Sequence, residues 1–67
     1  MITVQINGDS HAFDAPLKVT EVISYLALVG KKVAIERNGE LVPRSQYSSS
    51  DVLDGDKLEI VIAVGGG

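Results

Sequence analysis

The fold is decided by residues 57–64, which have the sequence KLEIVIAV. Successive side chains of this segment point to opposite faces if it is a β-strand, because the period of a strand is two residues. One face then carries large aliphatic side chains, those of Leu58, Ile60, Ile62 and Val64. The opposite face carries Glu59, Val61 and Ala63. We therefore predict a long strand with one face buried against a core.

The N-terminal segment has the same period. Residues 2–6 alternate aliphatic with polar side chains, and Asn7-Gly8 follows them. Asn-Gly is typical of a tight hairpin turn, because both residue types tolerate a positive φ. A second strand is therefore predicted at residues 10–14, paired with the first strand and with Phe13 facing the core.

The spacing of apolar residues changes after Pro16, where it becomes that of a helix. Positions i, i+3, i+4 and i+7 are occupied by Val19, Val22, Ile23 and Leu26. This spacing places the four side chains on one stripe of an amphipathic α-helix. Thr20 is the better capping residue at the start of the helix, where Lys18 caps poorly. Gly30 is the predicted end, because glycine readily adopts the left-handed conformation that follows helices.

The remaining sequence predicts short strands and turns. In chain order these are a strand at 33–37, a turn at 38–39, a short strand at 41–42, a polar connection at 44–51 with room for one helical turn, and a turn at 54–56. Together the segments predict one α+β domain over residues 1–64, in which a mixed sheet of about five strands packs on one helix. We expect the first and last strands to lie side by side in the middle of the sheet.

The composition excludes several classes of function. The chain has 67 residues, no cysteine and one histidine, so neither a disulfide framework nor a Cys/His metal centre is available. Its net charge is −3 and its six basic residues are scattered, unlike those of a nucleic-acid-binding surface. No apolar run has the length of a membrane span, and the N-terminus lacks the features of a signal peptide. We therefore expect a cytoplasmic protein without a membrane or nucleic-acid partner.

No internal group of residues has the spacing of a catalytic or metal site. His11 has no nucleophile to activate, and we interpret it as an ordinary residue of the second strand. Asp51, Asp54 and Asp56 lack the longer ligand series, ending in a bidentate glutamate, that a calcium loop requires. The glycines at 65–67 are not a phosphate-binding loop, since no helix with Lys and Ser or Thr follows them. We therefore expect no cofactor or metal to bind the chain.

Two features of the C-terminal region remain. Val61 and Ala63 place apolar side chains on the face of the last strand that should be polar. They are either ordinary surface hydrophobes or a patch on which a partner docks. We expect Gly65, Gly66 and Gly67 to form a flexible tail that adds nothing to a core. The tail is either an incidental end or a segment that threads a narrow channel in a partner, where only glycine fits.

The chemistry available to such a tail is that of a carboxylate. At neutral pH the terminal group of Gly67 is ionised, and an ionised carboxylate is a poor acyl donor. Attack of a carboxylate oxygen on the α-phosphorus of ATP converts it to an acyl adenylate, which is a good acyl donor. Gly67 is therefore the strongest candidate for a working group, one that partner enzymes activate.

The most distinctive segment of the chain is VAIERNGELVPR at residues 33–44. Taken with the turn at 7–8, the helix at 19–26, the turn at 54–56 and the ending at 64–67, it resembles the ThiS family, the sulfur carrier proteins of thiamin biosynthesis. A Gly-Gly ending alone is shared by all activated ubiquitin-like proteins, whereas the Asn-Gly-Glu-Leu-Val-Pro-Arg run is much more specific. The resemblance covers the whole length of the chain.

The resemblance implies a ubiquitin-like β-grasp fold and a carrier that is not itself an enzyme. It implies that an E1-like adenylyltransferase of the ThiF type adenylates Gly67 with ATP and magnesium, while Gly65 and Gly66 thread the active site of that partner. A persulfide on another protein then supplies sulfur for a C-terminal thiocarboxylate (1-thioglycine), which delivers it to thiazole synthase of the ThiG type. The alternatives are the small subunit of molybdopterin synthase or a sulfur carrier of another pathway, a ubiquitin-like protein modifier, and a plain interaction module.

Overall fold

The computed structural model describes residues 1–63, and within them it contains seven strands, one α-helix and one 3-10 helix. In chain order the strands are β1 (Ile2–Ile6), β2 (Asp9–Phe13), β3 (Leu17–Lys18), β4 (Val33–Arg37), β5 (Glu40–Leu41), β6 (Asp51–Val52) and β7 (Lys57–Ile62). The α-helix, α1, spans Val19–Tyr25, and the 3-10 helix spans Arg44–Gln46. The helical turn expected between 44 and 51 is therefore present, and β2 and β5 each lie one residue earlier than predicted.

Five of the strands form one mixed sheet in the order β2-β1-β7-β4-β5. β1 and β7 are adjacent and parallel, with Gln5 opposite Lys57 and Ile6 opposite Leu58. The other neighbours are antiparallel. Parallel neighbours need a long crossover connection, and α1 lies on the connection between β1 and β7. The predicted α+β class, with the first and last strands in the middle of a five-stranded sheet, is confirmed.

The core lies between α1 and one face of the sheet. Its buried apolar side chains are those of Ile2, Val4, Ile6, Val19, Val22, Ile35, Val42, Val52, Leu58 and Ile60. Burying one such aliphatic side chain stabilises the fold by about 1.5–3 kcal/mol relative to leaving it exposed. Ile62, which was predicted to share the buried face of β7, is 50% exposed, so the well-covered part of the core ends before it.

The structure decides between Lys18 and Thr20, the two residues considered for the start of α1. The residue at the cap position is Lys18, and Thr20 is the second residue of the helix. The backbone N–H of Lys18 donates to the Oε1 atom of Glu21 at 2.8 Å. The carboxylate thus reaches back to the cap residue, as in one half of a capping box, and no hydroxyl cap is required.

The end of α1 differs from the prediction, because the helix stops at Tyr25 and the prediction that Gly30 ends it is wrong. The cause is a Schellman motif at Ala27, whose φ is 59°. The N–H of Ala27 donates to the Ser24 carbonyl at 3.0 Å, and the N–H of Leu28 donates to the Ile23 carbonyl at 2.9 Å. Leu28 then packs back against the core. This packing holds an alanine in a conformation that local preference assigns to glycine.

A second, two-stranded sheet was not predicted. β3 and β6 are antiparallel, with Leu17 opposite Val52 and Lys18 opposite Asp51. Lys18 and Asp51 also form a salt bridge, and Val52 is fully buried. Strands of two residues are too short to show a period in the sequence, so this pairing is seen only in the tertiary structure.

Candidate functional site

The segment predicted to do the chemistry follows β7, and the position of this strand is fixed by contacts on both of its sides. β7 is paired with β1 on one side and with β4 on the other. The backbone pairing on the β1 side of β7 ends at the Asn7 N–H, which donates to the Leu58 carbonyl at 2.9 Å. Beyond that point the side chain of Asn7 continues it: Oδ1 accepts the Ile60 N–H at 2.7 Å, and Nδ2 donates to the Ile60 carbonyl at 2.9 Å. One amide side chain therefore pairs with β7 as another strand residue would.

Asn38 holds the start of β7 in a similar way. Its backbone N–H donates to the Lys57 carbonyl at 2.8 Å, and its Oδ1 accepts the Lys57 N–H at 3.0 Å. Asn7 and Asn38 both have a φ of 52°, a left-handed conformation that asparagine adopts more readily than most residues. The sequence predicted both Asn-Gly turns. It did not predict that their side chains bind β7, because turn preference is local and the Asn7 contact spans 53 residues.

The turn before β7 contains Asp56, the buried charged residue of the described chain, which is 7% exposed. Its Oδ2 accepts from Nε of Arg37 at 2.7 Å and from the Leu53 N–H at 2.8 Å, and its Oδ1 accepts from Nδ2 of Asn38 at 3.0 Å. Burial alone would raise the pKa of Asp56. The hydrogen bonds from Arg37, Leu53 and Asn38, with the charge of Arg37, outweigh burial and lower the pKa below its ordinary value. Asp56 therefore stays ionised and ties the turn to β4.

The outer face of the sheet, on the side away from α1, carries the two predicted docking residues. Val61 is 64% exposed, and Ala63 is exposed as well. The register between β4 and β7 places Ala34 opposite Val61. Leu41, which is 67% exposed, lies on the same face of β5. We call these four residues, Ala34, Leu41, Val61 and Ala63, the outer patch. The sequence missed Ala34 and Leu41, because only the strand register places Ala34 beside Val61 and Leu41 beside Glu36 on the same face.

At its C-terminal end β7 runs along the beginning of β4. Val33 faces Ile62, and the N–H of Ala63 donates to the Lys32 carbonyl at 2.8 Å. The chain is therefore still paired at the last described residue. The predicted modification site, Gly67, and the two glycines predicted to thread a partner lie outside the described residues.

Other candidate centres have ordinary surroundings. His11 is half buried, with its Nδ1 2.9 Å from the hydroxyl of Tyr25 and its ring in edge contact with the tyrosine ring. His11 is therefore an ordinary residue of the second strand, as we interpreted it from the absence of a nucleophile that it could activate. Within residues 1–63, no group of three or more His, Cys, Asp or Glu side chains is placed to hold a metal ion. No helix in the same range is long and apolar enough to cross a membrane.

Comparison with known proteins decides the family. The sequence model of the ThiS family matches residues 4–67. The chain belongs to the ThiS family. This ThiS-family chain is 35% identical over 49 residues to the sulfur carrier protein ThiS of Bacillus subtilis (strain 168), with 73% of this chain and 74% of that protein covered.

A second relative is much longer. A thiazole synthase of Paramagnetospirillum magneticum (strain ATCC 700264 / AMB-1) is 48% identical over 62 residues, which are 92% of this chain and 19% of that protein. The ThiS-family chain thus spans about a fifth of the length of this relative.

A solved structure confirms the fold. The crystal structure of the thiamine biosynthesis protein ThiS from Geobacter metallireducens superposes with a TM-score of 0.84 at 33% identity, covering 98% of this chain and all of that one. The predicted ubiquitin-like β-grasp fold and the predicted family are both confirmed. The chain is a member of the family of small sulfur carrier proteins of thiamin biosynthesis.

Proposed function

We propose that this chain carries sulfur as a thiocarboxylate on Gly67 and delivers it to thiazole synthase, without catalysing a reaction itself. The family match through residue 67 carries the proposal. Two proteins named thiazole synthase support the choice of acceptor, because a part of each is 48% or 31% identical to this chain. A sulfur carrier and the enzyme that accepts its sulfur act together. A carrier-like segment within a synthase polypeptide is therefore expected if the two functions are joined in one chain.

The proposed loading needs three balanced steps on the carboxylate of Gly67. In the active site of the ThiF-type partner, which uses magnesium, a carboxylate oxygen attacks the α-phosphorus of ATP and pyrophosphate leaves. The terminal sulfur of a protein persulfide then attacks the acyl carbon, and AMP leaves. Finally a thiol cleaves the acyl disulfide, which releases the thiocarboxylate and leaves a disulfide between the thiol and the donor protein. The net change is one oxygen replaced by one sulfur.

The fold supports this role by fixing the strand that leads to Gly67. Asn7 and Asn38 hold β7 through side-chain contacts in addition to its two strand neighbours, and Asp56 ties the turn before β7 to Arg37 on β4. Residues 64–67 span at most about 14 Å when fully extended. A carrier of this kind keeps its domain rigid at the surface of the partner while the short glycine segment reaches the active site, where Gly65 and Gly66 leave room for the backbone to pass.

The outer patch is proposed as the surface that docks on the partner enzymes. Val61 and Leu41 are large apolar side chains that are about two-thirds exposed; Val61 lies near the end of β7, and Leu41 lies on the edge strand β5. Glu36 and Glu59 border the patch and face each other directly across β4 and β7, an arrangement of like charges that disfavours the free protein. We therefore expect a docking partner to place basic side chains beside an apolar surface.

The test is intact-mass measurement after incubation with a ThiF-type adenylyltransferase, ATP, magnesium and a persulfide donor. A mass gain equal to the exchange of oxygen for sulfur, placed on Gly67 by fragmentation, is the expected result. A chain lacking Gly66 and Gly67 is the control, and it should stay unloaded while its Tm is unchanged. An unmodified wild-type chain beside a loaded positive-control carrier would exclude the proposal.

The same experiment separates the alternatives. Isopeptide-linked conjugates on lysines would identify a protein modifier. Loading followed by transfer to molybdopterin synthase, with no transfer to thiazole synthase, would identify a carrier of the other pathway. Transfer of the sulfur to thiazole synthase, followed by formation of the thiazole product, is the result that the proposed function requires.

A further inference from the structure

A pocket of about 380 Å³ lies beside the end of β7, between α1, the loop that follows it and the 3-10 helix. Its walls are mainly apolar and include Ile23, Leu28, Val33 and Tyr47. We call it the exit pocket. Its volume is within the range of protein sites that accept a small ligand or a few side chains.

The walls of the exit pocket are already held in place. The Tyr47 hydroxyl donates to the Val33 carbonyl at 3.2 Å, and the Thr20 N–H donates to the Tyr47 carbonyl at 3.1 Å. The loop after α1 is closed by the Schellman motif, and the Lys31 N–H donates to the Leu28 carbonyl at 3.0 Å. An occupant would therefore meet a formed cavity, which lowers the ordering cost of binding.

The rim of the exit pocket concentrates positive charge in an acidic protein. Lys31, Lys32 and Arg44 line it, which is half of the six basic residues of a chain with net charge −3. The two salt bridges found among residues 1–63 use Lys18 and Arg37, so none of the three rim cations is paired there. No acidic residue is among the described residues that line the pocket. Charge and apolar walls together fit an occupant with a carboxylate next to a large apolar group.

The exit pocket adjoins the path of the chain toward Gly67. The Lys32 carbonyl, on its rim, accepts the Ala63 N–H, and Val33, in its wall, faces Ile62 on β7. An enzyme that takes up the residues after Ala63 must therefore bring the edge of its active site next to this pocket. A small anion would pair with the rim cations but would leave the apolar walls uncovered. A protein segment with both an acidic and an apolar side chain would contact both, so it is the better occupant.

We propose that the exit pocket receives a segment of thiazole synthase in which an acidic side chain stands beside a large apolar one, at the edge of the active site that accepts the tail. This inference rests on the proposed function, which supplies the partner. The apolar side chain enters the cavity lined by Ile23 and Leu28, and the carboxylate pairs with Lys32 and Arg44. This contact is separate from the outer patch, which lies on the opposite face of the sheet.

The test compares two charge reversals in the full chain by fluorescence anisotropy against purified thiazole synthase of the ThiG type. Lys32→Glu changes the rim of the pocket. Lys57→Glu makes the same change in net charge at the opposite end of β7, on another exposed lysine. We expect Lys32→Glu to raise the Kd about tenfold or more, because it replaces an attraction with a repulsion at a partly desolvated site. Lys57→Glu should stay within about twofold of wild type.

A second pair of variants tests the apolar part without changing charge. Val29 lines the pocket and is 71% exposed, so Val29→Ser should keep the fold and weaken binding by about threefold or more. Leu53→Ser, at an exposed position that does not line the pocket, is the control and should leave the Kd unchanged. Unchanged Tm values for all four variants show that the fold is intact.

The outcomes separate this inference from the proposed function. If wild type is loaded with sulfur and binds the synthase, but Lys32→Glu and Lys57→Glu have the same Kd, the exit pocket is not a docking site and the carrier function stands. If wild type is never loaded and does not bind the synthase, the proposed function fails and the inference fails with it. A selective loss in Lys32→Glu and Val29→Ser, with their controls unchanged, supports the pocket as the site.

Discussion

Replacing Asp56 with asparagine tests whether one buried carboxylate organises the turn before β7. Asparagine has the same shape, but one of its two terminal groups is a donor. The carboxylate of Asp56 faces three donors, two at Oδ2 and one at Oδ1. Either orientation of the new amide therefore sets its NH₂ group against at least one donor in a buried place. The perturbation removes the charge and leaves the volume unchanged.

The size of the effect follows from these contacts. A hydrogen bond to a charged group contributes about 1.5–3 kcal/mol, and a buried donor left without an acceptor costs about 1–3 kcal/mol. Removing one partner of a fully buried ion pair costs about 3–5 kcal/mol. The Arg37 side chain is 33% exposed, so water screens part of the loss. We expect Asp56→Asn to lower the free energy of unfolding by about 3 kcal/mol at neutral pH, and the Tm by roughly 15 °C.

The pH dependence has a definite sign. The pKa of Asp56 is lower in the folded chain than its ordinary value of 3.8, so the folded state binds this proton less readily than the unfolded state. The stabilisation is therefore complete above the unfolded value and is lost as the pH falls through the lower pKa of the folded state. The difference in stability between wild type and Asp56→Asn should shrink as the pH falls below about 4.

The assay is urea unfolding followed by circular dichroism at neutral and acidic pH. Asp14→Asn, at an exposed position, is the matched control and should change the free energy of unfolding by less than about 0.5 kcal/mol. An Asp56→Asn variant as stable as this control at neutral pH would refute the role of the buried carboxylate. A difference that grows on acidification would refute the sign of its pKa shift.

Three further predictions concern β7, α1 and the outer patch. Asn7→Gly keeps the positive φ but removes both hydrogen bonds to Ile60, so urea unfolding should show a loss of about 1–2 kcal/mol; an unchanged midpoint would show that the amide does not hold β7. Ala27→Gly relieves a left-handed alanine and should raise the Tm by a few degrees, corresponding to about 0.5–1 kcal/mol; a lower Tm would contradict the strain. Val61→Glu should weaken binding to the adenylyltransferase about tenfold with an unchanged Tm, whereas Ala12→Glu, on the edge strand β2, should not; equal binding would mean that the outer patch is ordinary surface.

The elements that the sequence predicted are those whose signal lies within a few residues. The alternation at 2–6 and 57–64 and the helical spacing from Val19 gave β1, β7 and α1, because a strand or a helix with one buried face must repeat its apolar residues at a fixed period. Both Asn-Gly turns were predicted from the conformations that these two residue types allow. The side-by-side placement of β1 and β7 in the middle of the sheet was expected from the order of the elements and is confirmed, whereas their parallel direction is a finding of the structure.

The misses share a physical cause, which is competition between local preference and packing. Glycine was expected to end the helix, yet packing of Leu28 against the core ends it at Tyr25, with Ala27 in the left-handed conformation that follows. Likewise, the turn at 54–56 was predicted from its Asp-Gly-Asp sequence, but nothing local shows that Asp56 is buried against Arg37. Such contacts join residues that are distant along the chain, so they leave no short-range pattern.

The sequence by itself determined the β-grasp order of elements, the family and the candidate group at Gly67, because periodicity, turn chemistry and the segment at 33–44 are properties of neighbouring residues. Only the tertiary structure decided which side chains meet. It joined Ala34 and Leu41 to Val61 as the outer patch, bound Asn7 to β7, and gathered three cations around the exit pocket. The reason is that strand register and helix packing set these distances, and both depend on closing the whole chain around one core.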